Sequence, residues 1–178
     1  MEDEKLVLLY SKDEIDIRIK SLAGRISKDY RDREVALICI LKGAFIFMAD
    51  LVRNLTIPIK IDFLRVASYG NQSQSSGKLT IYKDIELSIE DKDVIIVEDI
   101  LDSGLTLSYL IDKLSAKKPR SLKLCVLIDK TERREEKVSA DYVGFSLEKG
   151  FIVGYGLDFN EQYRHLPDIY RIEMPIKS

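Results

Sequence analysis

Between Glu98 and Thr106 the chain reads Glu98-Asp99-Ile100-Leu101-Asp102-Ser103-Gly104-Leu105-Thr106, three carboxylates within five residues followed by two hydroxyls and a glycine. The second half suits an anion: free backbone N–H groups, hydroxyl donors and the positive end of a helix dipole. The first half repels an anion unless a cation or sugar hydroxyls lie over it. A ligand with a phosphate at one end, and a diol with Mg²⁺ at the other, satisfies both halves. A phosphorylated ribose has that form. The acid pair alone reads equally well as helix capping; the specific signal is the pair, a third acid and a hydroxyl–glycine turn in one loop.

The elements that position this loop follow from periodicity. Val94-Ile95-Ile96-Val97 is a solid apolar run, as expected of a parallel strand buried on both faces, with Glu98-Asp99 just past its end. Leu107, Leu110, Ile111 and Leu114 then recur at helical spacing, and Lys117-Lys118-Pro119 ends that helix. In open α/β sheets ligands sit beyond the carboxyl ends of the strands, which is where the loop falls. Upstream, Ser11 and Glu14 form a capping-box pattern for a helix with Ile15, Ile19, Leu22, Ala23 and Ile26 on one face. Val35 to Leu41 is a second buried strand, Ala44 to Leu55 a helix, and Ile59 to Val66 a strand. Leu122 to Ile128 is a third solid run, while Tyr142 to Phe145 and Ile152 to Tyr155 read as shorter strands. The alternation predicts an α/β fold, a mainly parallel twisted sheet flanked by helices. Residues 68–77 are polar and small, without an apolar anchor, as expected of a functional loop with Leu79–Tyr82 as its returning arm.

Composition narrows the classes. The chain has 178 residues, 46% hydrophobic and 33% charged, with 9 Gly and 4 Pro, which excludes a disordered or collagen-like protein. The 28 basic and 30 acidic residues leave a net charge of −2, without the basic excess of a nucleic-acid binder. No apolar run approaches the roughly 20 residues that span a bilayer. Cys39 and Cys125 each sit in an apolar run, with no metal-type spacing, and read as buried thiols in a cytoplasmic protein.

Val97 to Thr106 resembles the ribose-phosphate signature of the type I phosphoribosyltransferases, and the whole chain resembles the hypoxanthine–guanine members in particular. Leu41-Lys42-Gly43 resembles the pyrophosphate turn, Ser68-Tyr69 the pair on the mobile loop, and Asp129-Lys130 the base-recognition segment. Phe151 to Asp158, with Arg164, resembles the C-terminal base and metal segment. The resemblance implies one domain over residues 1–178, with a core at about 35–145, a small hood from both terminal segments and a mobile loop at about 68–78. It implies transfer of phosphoribose from phosphoribosyl pyrophosphate (PRPP) to a 6-oxopurine, giving IMP or GMP and pyrophosphate. Mg²⁺ would be held by Glu98, Asp99 and Asp158. Asp102 would be the proton-handling residue, and Glu98 and Asp99 would also meet the ribose hydroxyls. Ser103, Gly104, Leu105 and Thr106 would cradle the phosphate. Lys42, Gly43 and Arg164 would meet pyrophosphate, and Ser68 and Tyr69 would close over the centre. Lys130 would read the oxo group, with Phe151 and the backbone at Ile152 framing the base. A homodimer or homotetramer is expected.

Other readings weigh less. Without the motif, Lys42 is an ordinary solvated lysine, Phe151 is core and Arg164 is a surface ion pair. His165, the only histidine, has no nucleophile motif beside it. The sign-alternating run Glu132–Lys137 reads as a solvated face or subunit contact. Relatives preferring guanine or xanthine, a non-catalytic nucleotide- or RNA-binding regulator on the same fold, and a receiver domain built on Asp99 are the alternatives.

Overall fold

The computed structural model describes residues 5–68 and 79–173. Six strands form one sheet in the order β4-β3-β2-β5-β6-β7, and three form a second in the order β1-β9-β8. In the larger sheet β2 (Val35–Leu41), β3 (Ile59–Ser68), β5 (Asp93–Leu101), β6 (Ser121–Lys130) and β7 (Tyr142–Leu147) run parallel. Only β4 (Leu79–Lys83) is antiparallel, beside β3. Every residue of β2 from Val35 to Ile40 is buried, which is why the run lacks polar alternation.

Helices α1 (Lys12–Asp29) and α2 (Phe45–Asn54) cover one face, and α3 (Leu105–Ser115) covers the other. The Ser11–Glu14 capping box is formed, and Ile15, Ile19, Leu22, Ala23 and Ile26 are all buried. Val35, Leu37 and Cys39 of β2 join the α1/α2 core, while Ala36, Ile38 and Ile40 join the α3 core. Both cysteines are buried free thiols. The smaller sheet is antiparallel: β1 (Lys5–Tyr10) and β8 (Phe151–Val153) flank β9 (Ile169–Glu173). Neither β1 nor β9 was expected from the sequence.

The ends of strands are corrected. Strand β5 does not stop at Val97; β6 runs on to Lys130 and continues the ladder, pairing Glu98 with Val126 and Ile100 with Ile128. Glu98 and Asp99 therefore lie inside the strand. Strand β8 ends at Val153, and Gly154 to Leu157 is a tight turn closed by reciprocal backbone bonds of 3.1 Å, so Asp158 follows a turn, not a strand. The expected mobile loop, with Tyr69, lies outside the described residues; Ser68 is the last residue of β3. Among the described residues, no helix is long and apolar enough to cross a membrane.

Candidate active site

Strand β2 has β3 on one side and β5 on the other, so the winding direction reverses between β2 and β5. The crevice at such a reversal is the usual ligand site of an open α/β sheet. Here it is a cleft of about 320 Å³. Lys42 and Gly43 enter it from the end of β2, and Glu98, Asp99 and Asp102 from β5 and its turn. Ser103, Gly104 and Thr106 come from the start of α3, and Asp158 and Arg164 from the C-terminal segment.

The β2 side is built by close approach. A Cβ on Gly43 would lie 1.7 Å from Asp99 Oδ2, so glycine is what lets the Asp99 carboxylate rest against the Lys42 turn. The Leu41–Lys42 peptide is cis. Lys42 Nζ donates to both Glu161 oxygens, at 2.9 and 3.0 Å. Arg164 pairs with Asp158 at 2.7 Å and with Glu161 at 3.5 Å, and donates to the Gly156 carbonyl at 2.7 Å. The Lys42 hydrogen bond holds the Glu161 carboxyl below its usual range. Glu161 was missed in the sequence, where nothing but its spacing of three from Arg164 marks it.

Glu98, buried, and Asp99, half-buried, are neighbours near the end of β5. Burial, reinforced by the negative charge of Asp99, pushes the Glu98 carboxyl well above its usual range. Two adjacent carboxylates in that position fit a hard divalent cation that takes oxygen ligands and keeps several waters. Among the described residues, no three His, Cys, Asp or Glu side chains converge as a ready-made cage. An ion held by one or two carboxylates and completed by substrate phosphates needs none.

The phosphate side is built on Gly104, which caps α3 at φ +86, a conformation that L side chains rarely adopt. The first-turn amides of a helix lack intrahelical partners. Those after Gly104 therefore open onto the cleft beside the Thr106 and Ser103 hydroxyls, and Ser103 Oγ accepts from the Leu105 amide at 3.3 Å. The Leu105 side chain points out and is exposed.

Asp102 carries a buried Oδ1 with no hydrogen-bond partner among the described residues, 3.7 Å from Lys130 Nζ. Lys130 ends β6 with its side chain only 5% exposed, and its other carboxylate neighbour is Glu132 at 3.3 Å. In the run Glu132–Lys137 the side chains of Glu132, Arg133, Glu135 and Lys137 form the solvated face expected, while Arg134 turns inward. Arg134 Nε donates to the Asp102 carbonyl at 2.9 Å, and Nη2 to the carbonyls of Leu101 at 3.1 Å and Lys130 at 3.0 Å. Its Nη1 donates to the Val138 carbonyl at 2.8 Å, and the guanidinium also pairs with Asp129. The Ser103 carbonyl accepts from the amides of Glu135 and Glu136, so this segment braces the phosphate loop from below.

Lys130, Phe151, Ile152 and Leu105 lie outside the cleft wall itself. Phe151 is 41% exposed and meets Phe159 edge to face at 5.2 Å between centroids. Ile152 is buried in the core, which leaves only its backbone available on the edge strand of the smaller sheet.

Fold and site together define a phosphoribosyltransferase, and the model of the phosphoribosyl transferase domain matches residues 9–160. The hypoxanthine-guanine phosphoribosyltransferase of Bacillus subtilis is 44% identical, covering 91% of this chain and 90% of that one. Its counterpart in Aquifex aeolicus is 46% identical over 96% of both chains. A crystal structure of a hypoxanthine-guanine phosphoribosyltransferase from Bacillus anthracis superposes with a TM-score of 0.90 at 45% identity, covering 96% of this chain and all of that one. The chain belongs to the hypoxanthine–guanine phosphoribosyltransferase family.

Proposed function

We propose that this enzyme transfers the phosphoribosyl group of PRPP to hypoxanthine and guanine, giving IMP or GMP and pyrophosphate. One observation carries the reading. At the β2/β5 reversal a cationic turn, an acid pair with Glu98 buried, and a glycine-capped helix N-terminus face one cleft.

Each part has a task. The α3 amides with Ser103 and Thr106 hold the ribose phosphate. Glu98 and Asp99 accept hydrogen bonds from the ribose hydroxyls. A bond forms between a purine nitrogen and the anomeric carbon as the bond to pyrophosphate breaks, and the base's proton passes to Asp102, whose buried oxygen has no hydrogen-bond partner among the described residues. Lys42 and Arg164 neutralise the departing pyrophosphate. Lys130 donates to the 6-oxygen, Phe151 stacks on the ring and the Ile152 backbone reads its far edge. Adenine presents an amino group in place of that oxygen and is selected against. Ser68 and Tyr69 exclude water from the reacting centre. Mg²⁺, when bound, supplies charge neutralisation for PRPP, with Glu98, Asp99 and Asp158 as the residues that would hold it. We infer one domain over residues 1–178, assembly as a homodimer or homotetramer, and a cytoplasmic setting, supported by two free core thiols.

The test is turnover with PRPP, Mg²⁺ and each purine separately. IMP and GMP are the expected products, with adenine left unconverted; no nucleotide from any base overturns the reading.

A further inference from the structure

The carboxylate of Glu132 joins two parts of the base site that belong to different sheets. Its Oε2 accepts from the Gly150 amide at 3.1 Å and lies 3.3 Å from Lys130 Nζ. Lys130 ends β6 of the larger sheet, while Gly150 immediately precedes Phe151, the first residue of β8 in the smaller one. Glu132 is itself fixed by the turn that carries it: the Thr131 amide donates to the Leu147 carbonyl at 3.2 Å, and the Arg134 amide to the Thr131 carbonyl at 3.2 Å.

We propose that Glu132 is a positioning residue that sets base specificity, with one oxygen fixing the Lys130 ammonium relative to the segment presenting Phe151. The inference rests on the roles given above to Lys130 and Phe151. Its physical basis is a competition. The Lys130 ammonium is almost fully buried between two carboxylates, 3.3 Å from Glu132 and 3.7 Å from Asp102. Held by Glu132, it keeps a donor free for a base oxygen and stays 3.7 Å from Asp102, beyond hydrogen-bond distance. Without Glu132 it has Asp102 to turn to. A Lys130–Asp102 hydrogen bond would occupy both the donor that reads the base and the oxygen that takes its proton. Loss of the Gly150 contact would at the same time free the backbone ahead of Phe151, where Gly150 sits at φ +115.

Steady-state kinetics on the full chain test this. Glu132→Ala should raise KM for hypoxanthine and guanine about tenfold and lower kcat, as expected for losing a hydrogen bond to a charged group. Binding of Mg²⁺–PRPP, read by calorimetry, should stay within about twofold, because Glu132 touches none of the phosphate machinery. Glu132→Gln keeps an acceptor for the Gly150 amide and should fall between wild type and alanine. In a Lys130→Ala background Glu132→Ala should cost no more than about threefold, since most of its effect runs through the ammonium. Unchanged KM for both bases in Glu132→Ala overturns the proposal. So does an equal loss of PRPP and base binding with a lowered Tm, which would make the role purely structural. A wild-type enzyme that forms no nucleotide overturns the proposed function as well, and is thereby distinguished from the first two results.

Discussion

Two residues carry opposite kinds of constraint in the cleft. Gly43 matters for what it lacks: the nearest atom to a Cβ there is the end of the Asp99 side chain, which can swing away, so Gly43→Ala should fold. The displaced carboxylate would then leave the position it shares with Glu98. We expect PRPP affinity to fall about tenfold or more with Tm nearly unchanged, measured by calorimetry and thermal melting. Asp102 matters for what it can accept. Asp102→Asn keeps the shape but cannot take the base's proton, so kcat should drop about 10²- to 10⁴-fold while PRPP still binds; near-normal turnover removes it from the mechanism. Both residues were visible in the sequence as members of motifs. The reason for Gly43 was not, because Asp99 lies more than fifty positions away and only the parallel β2–β5 pairing brings them together.

At the scale of elements, periodicity carried the helices and buried strands, and failed where tertiary contacts set the boundary. Helix α1 was legible to its cap and its five buried positions, since both signals are local. Strand β5 was not, because Glu98-Asp99 interrupts its apolar run and the residues past Val97 are held in the ladder only by β6. The charged run after β6 was legible as a solvated face but not at Arg134, which finds carbonyls of Leu101, Asp102, Lys130 and Val138 that no local pattern reveals. Arg134→Ala leaves those acceptors without their donor and should cost roughly 2–4 kcal/mol in chemical denaturation. Arg134→Lys should recover little, because one ammonium cannot reproduce a planar fork of donors. The β3–β4 ribbon has its own tie. Asp62 is buried, which alone would raise its carboxyl, but the amides of Leu87, Phe63 and Glu86 and the Lys83 ammonium hold it below its usual range. A depressed carboxyl contributes stability above about pH 4 and loses it as pH falls through the folded value. Acidification should therefore deprotect the amides of Glu86 and Leu87 early in hydrogen exchange. Asp62→Ala removes the acceptor and should leave them exposed already at neutral pH; equal protection in both proteins would remove Asp62 from that role.

Across the whole molecule, catalysis depends on one cleft drawing on distant parts of the chain, and the contacts spanning it are ionic. Lys42 at the end of β2 reaches Glu161, which also lies 3.5 Å from Arg164 on the C-terminal segment. The two cations assigned to pyrophosphate therefore already carry a carboxylate partner. Pyrophosphate must displace Glu161 to reach them, so some of its attraction to the cleft is spent on breaking that contact. The pair is solvent-exposed, with side chains 48% and 65% accessible, and exposed pairs contribute about 1 kcal/mol or less. Glu161→Gln should accordingly tighten pyrophosphate inhibition by about two- to fivefold, with the gain shrinking as salt screens the freed charges. Hypoxanthine KM should stay put, because neither cation meets the base. Unchanged pyrophosphate inhibition at low salt would mean that the Lys42–Glu161 contact does not compete with the leaving group.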